Sequence, residues 1–75
     1  MTVTELRTQC EEQPFVSFVM HLADGRQIRV HHPDFVAFAP SGRSVTVYQP
    51  DDSRNVVDLL LVTDLEIKAN GQGQS

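Results

Sequence analysis

The chain has no tryptophan, a single cysteine and no long hydrophobic run. Each absence excludes something. Cys10 alone can form no internal disulfide. Leu59 to Val62 is the longest stretch of large aliphatic residues, far short of the ~20 that span a bilayer. The N-terminal "MTVTELRTQ" has neither a basic segment nor an apolar segment of signal-peptide type. A soluble cytoplasmic protein without a membrane span is the expectation. Positive charge is also scarce. Six basic against ten acidic residues give a net charge of −4, against the basic footprint that general nucleic-acid affinity needs. A small local basic patch is still compatible with that balance. Tyr48 is the lone aromatic expected on the surface, too little for base stacking. No internal repeat and no domain boundary are visible. At 75 residues the chain makes one small domain, which buries only about 60% of its unfolded surface.

What is present is punctuation. Thr2 and Glu5 have capping-box spacing, in which hydroxyl and carboxylate each accept the other's backbone N–H. A helix over residues 2–12 follows, with Val3, Leu6 and Cys10 on one stripe. Pro14 ends it by pushing Gln13 out of the α region. "FVSFVMHL" then reads as a strand, "ADG" as a turn and "RQIRV" as the returning strand. A two-residue Asp24-Gly25 loop would mix polar and apolar residues on both faces. A three-residue Ala23-Asp24-Gly25 loop with Gly25 left-handed pairs Leu22 with Arg26, Met20 with Ile28 and Phe18 with Val30. That register sorts the faces, and a one-residue slip would exchange them. The three-residue loop is therefore expected.

"HHPD" breaks the second strand: Pro33 holds His32 extended, and Pro33-Asp34 opens a 3₁₀ turn. The same three-residue logic at "PSG", with Gly42 left-handed, pairs Ala37 with Val45 and Phe35 with Val47. "PDDS" is a β-turn, "NVVD" a strand and "LLLVTD" a helical turn that plugs the core. "LEI" is the last strand, with Leu65 and Ile67 inward. Residues 1–68 form the expected domain and 69–75, "ANGQGQS", a disordered tail. The fold class is α+β, mainly β: a short N-terminal helix, then a five- or six-stranded bent antiparallel sheet or SH3/Sm-like small barrel.

Two resemblances accompany this reading. The pattern "HLADGR-I-V-HP-F-A--P-G--V-V--PD" followed by "DLLLVT-LE" resembles a group of short bacterial proteins of no assigned function, over nearly the whole chain. "VDLLLVTDLEI" resembles the last strand pair of Sm-like and SH3-like barrels, with a short helical turn between. The second resemblance implies RNA binding as an alternative function. "HHPDFVAFAPSG" has no counterpart in Sm proteins, and their RNA-binding motifs are not recognisable here.

Candidate sites are few. His31 and His32 are adjacent and point to opposite faces of a strand. His21 lies opposite Gln27, roughly 13 Å along the strand from His31 at ~3.3 Å per residue. No shared metal ion is expected, and no cofactor. Asp24, Asp34, Asp51 and Asp52 sit in turns, where Asp bonds nearby backbone N–H groups. No nucleophile–base pairing emerges from the spacing, and no enzyme is expected. Arg26 and Arg43 follow the two Gly-containing turns, at one end of the sheet. With Arg29 they form a candidate anion-binding end.

The strongest anomaly is "VVDLLLV", six of whose seven residues are large and apolar. Val56, Val57, Leu59, Leu60 and Val62 are candidates for a subunit contact. The alternative is an internal plug. If Asp58 points outward, Val57 and Leu59 point inward, and the contact falls to Leu60 or to the strand's backbone edge. The expected function is a non-catalytic protein-interaction or self-associating module. Its partner is a second copy, in a homodimer or higher homo-oligomer, or an unknown protein, rather than nucleic acid or membrane.

Overall fold

A computed structural model describes residues 1–68; the expected tail lies outside the described residues. The helix α1, Val3–Cys10, is followed by β1 (Phe18–Leu22) and β2 (Gln27–Val30). A first 3₁₀ turn (Pro33–Phe35), β3 (Val36–Phe38), β4 (Ser44–Tyr48) and β5 (Arg54–Asp58) come next. A second 3₁₀ turn (Leu59–Leu61) and β6 (Val62–Ile67) complete the order. The fold is α+β and mainly β, with six antiparallel strands. They close no barrel. They form two three-stranded sheets, ordered β2-β1-β6 and β3-β4-β5.

Local chemistry sets each element. Thr2 and Glu5 make the capping box at the start of α1. Leu6 and Cys10 are buried beneath the helix, and Val3 packs against Gly42 in the second hairpin loop. His32 is extended at φ −159° and its Nδ1 accepts the Asp34 N–H, which starts the first 3₁₀ turn. Asp58 starts the second in the same way, its Oδ1 accepting the Leu60 N–H.

The first hairpin has the three-residue loop. Gly25 sits at φ 93°, and Phe18 pairs with Val30 and Met20 with Ile28. Phe18, Met20, Leu22, Ile28 and Val30 are all buried. The second hairpin departs from expectation by one residue. Ala37 pairs with Thr46 and Phe38 with Val45, and the Ala39 N–H donates to the Ser44 carbonyl. The loop is thus Pro40 to Arg43, four residues, with Gly42 at φ 75°. The reason is the core: this register turns Val36 and Phe38 toward Val45 and Val47, and leaves Ala37 exposed. Phe35 closes the 3₁₀ turn and takes no part in the ladder. Ile67, expected inward, is 44% exposed, while Leu65 packs against the core.

The backbone also holds a repeat that the side chains do not display. Exchanging β1 with β4, β2 with β5 and β3 with β6 maps each sheet's strand order onto the other. The pairs Phe18–Val30 and Val45–Val57 are equivalent at an offset of 27 residues. The turns correspond as well. Leu22 N–H bonds Arg26 O and Gly25 N–H bonds Leu22 O; Gln49 N–H bonds Ser53 O and Asp52 N–H bonds Gln49 O. Each half is a hairpin, a 3₁₀ turn and a third strand that joins the other half's sheet. Between them lies one core, in which Leu6, Phe18, Met20, Val30, Val45, Val47 and Val57 are fully buried.

Candidate interaction surface

Alternation along β5 divides "VVDLLLV" between inside and outside. Val57, Leu59 and Val62 are buried in the chain's own core. They act as the plug, and no surface contact is open to them. Asp58 is exposed, so the condition for an outward-facing remainder is met. Val56 is 63% exposed and Leu60 86%. Val56 lies in the middle of β5, and Leu60 in the turn that carries the chain to β6; β5 and β6 are each the terminal strand of their sheet. Leu61 extends the exposed apolar strip.

The second 3₁₀ turn is held by backbone bonds from both hairpin loops. The Ala23 N–H donates to the Leu61 carbonyl at 2.8 Å, and the Leu59 N–H donates to the Arg43 carbonyl at 2.9 Å. The loops bearing Arg26 and Arg43 therefore flank this turn. Arg26 is already engaged: its Nε lies 3.0 Å from Asp24 Oδ2. Arg29 lies on β2, its Nη1 3.5 Å from Ser17 Oγ.

The outer faces of the two sheets differ. On the first, His21 Nε2 meets Glu66 Oε1 at 2.8 Å and Lys68 Nζ meets Glu66 Oε2 at 2.9 Å. The Lys68 ammonium, then the His21 ring, hold the Glu66 carboxyl below its usual range. This charge cluster, with Arg29 alongside, covers Val19. The second sheet's outer face carries Ala37, Thr46, Val56, Tyr48 and Arg54. Among the described residues, no ion pair joins them.

The other candidates resolve into structural roles. His32 caps its turn, and its ring lies tilted against those of Phe15 and Phe35. Among the described residues, no cluster of three or more His, Cys, Asp or Glu side chains is placed to hold a metal. Cys10 is buried on the helix stripe, and desolvation pushes its thiol up from the ordinary range. No helix of the described residues is long and apolar enough to cross a membrane.

Sequence reasoning missed two residues of this surface, Arg54 and Gln49. Arg54 stands two residues before Val56 as Asp58 stands two after, so the two share its face with opposite charges. That symmetry about Val56 was readable from "RNVVD". Gln49, which reaches across to the first sheet through Nε2 to the Arg29 carbonyl at 3.1 Å, left no sequence signal. Comparison with protein-family models, curated proteins and solved structures returns no match.

Proposed function

We propose that this chain is a non-catalytic, self-associating interaction module whose contact lies on the exposed part of residues 54–61. The observation that carries it is the sorting of one apolar segment. Val57 and Leu59 satisfy the core, while Val56 and Leu60 stand 63% and 86% exposed on either side of Asp58. In a domain this small an unpartnered branched-aliphatic pair, one on an edge strand and one in the turn that follows it, is a liability in water unless something covers it. A second copy is the simplest cover, because a two-fold contact uses the same patch twice. Light scattering on the purified protein tests the reading. A dimer, or a higher closed oligomer, at high micromolar concentration is expected. A monomer throughout that range overturns it.

A further inference from the structure

Resting on that self-association, we infer that two copies join through their β5 edges, antiparallel, with Val56 opposite Val56 at the two-fold axis. Backbone phase is the first support. The bonds Gln49 N–H to Ser53 O and Leu59 N–H to Arg43 O bracket the β4–β5 ladder, whose register is unbroken. Hydrogen-bonded and non-bonded pairs alternate along an antiparallel ladder. Asn55 and Val57 therefore turn their N–H and C=O groups toward β4. Arg54, Val56 and Asp58 turn theirs away, and β4 is the only strand beside β5 among the described residues.

The other half of the molecule shows how such an edge is closed. At β2, the position equivalent to Val56 is Arg29, and its outward carbonyl accepts the Gln49 side chain. The residue equivalent to Gln49 is Leu22. It is a buried hydrocarbon with no N–H to give. So β2 has an internal cap, and β5 lacks the corresponding one.

Charge selects the occupant. When Val56 faces Val56 across a two-fold axis, Arg54 faces Asp58 of the partner subunit, and Asp58 faces the partner's Arg54. All three pairs lie between residues whose backbone groups point outward, so side-chain and hydrogen-bond register agree. Opposite charges directly across a ladder stabilise it, and like charges oppose it. Among the described residues neither Arg54 nor Asp58 is spent on an ion pair within its own chain. An unrelated strand would have to match both ends of β5; a second copy does so by symmetry.

The test uses charge reversal. Arg54→Glu sets two like-charge pairs across the axis and should weaken dimerisation about tenfold or more. Asp58→Lys should do the same, and an equimolar mixture of the two variants should regain a heterodimer. Because Asp58 also starts the second 3₁₀ turn, a Val56→Cys variant supplies an independent readout. A hydrogen-bonded antiparallel pair sets its Cα atoms about 5.5 Å apart, within disulfide reach. Mild oxidation should link that variant into a covalent dimer, with the wild type, whose Cys10 is buried, as control. A wild-type dimer that shows neither mixed rescue nor crosslinking, and is lost with Leu60→Ser, overturns the β5 register while self-association stands. A monomeric wild type overturns both.

Discussion

At the tip of the β1–β2 hairpin Gly25 sits at φ 93°, and at the tip of the β4–β5 hairpin Asp52 sits at φ 73°. The two turns share their backbone bonds. They share a side-chain bond as well: Asp24 accepts the Arg26 N–H and Asp51 accepts the Ser53 N–H. Yet the first half fills the left-handed position with the residue that occupies it freely, and the second with one that does so under strain. The same contrast recurs in the strands. Phe18 and Met20 of β1 stand where β4 has Val45 and Val47. The first half thus carries the bulk of the core and the relaxed turn. The second carries the lighter core, the strained turn and the open edge. One backbone plan tolerates different side chains, provided that inward positions stay apolar and the turns keep their Asp.

The largest test of that asymmetry removes the anchor. Phe18→Ala should cost about 3–5 kcal/mol, enough to unfold a domain of this size, whereas Val45→Ala at the equivalent position should cost roughly 2 kcal/mol. Urea denaturation measures both. Equal losses would mean that the halves share the core evenly.

The turns give a smaller effect of opposite sign. Gly25→Ala should destabilise by about 1 kcal/mol. A Cβ there meets nothing within 4 Å, so the cost is backbone strain alone. Asp52→Gly should gain roughly 0.5 kcal/mol by relieving that strain. Thermal melts of the two variants moving in the same direction would show that the turns are not equivalent.

The smallest effect is acid sensitivity. The Arg26 N–H holds the Asp24 carboxyl below its ordinary value, and the Ser53 hydroxyl and N–H do the same for Asp51. A carboxyl depressed in the folded state contributes stability above its unfolded value and loses it as pH falls through the folded one. Both contributions should therefore fade below about pH 4, where unfolded carboxylates take up protons. Asp24→Asn and Asp51→Asn should each flatten the acid limb of a melting-temperature profile. An unchanged limb in both would place the acid sensitivity elsewhere, with Glu66 and its His21 and Lys68 partners the next test.

Legibility followed the strength of local chemistry. The capping box, the loop Ala23 to Gly25 and the proline-led 3₁₀ turn were readable because each rests on residues adjacent in sequence. The second hairpin was misread by one residue because "FVAFA" is apolar throughout, so either register pairs apolar residues and only packing against Val45 and Val47 decides. Alternation puts Ile67 on the face of Leu65, opposite Phe18, and the register keeps it there; its exposure comes from its place as the last residue of an edge strand, where little packs over it. The repeat was hidden for a deeper reason. Its halves share hydrogen bonds and sheet order, not residue types, so nothing in composition or periodicity marks it. At the candidate surface, exposure of Leu60 was reached by asking where Asp58 points, while the uncapped edge needed the position of Gln49.

The swapped third strands also fix the order in which the molecule can be assembled. β3 finds β4 across a short loop, so the second sheet needs only contacts local in sequence. The first sheet is complete only when Phe18 meets Ile67, a separation of 49 residues in the 68 described. Contacts so distant require closure of the longest loop before any pairing rewards it. During synthesis, therefore, β1 must wait beside β2 until β6 has emerged, and the hairpin made first is the last to be enclosed.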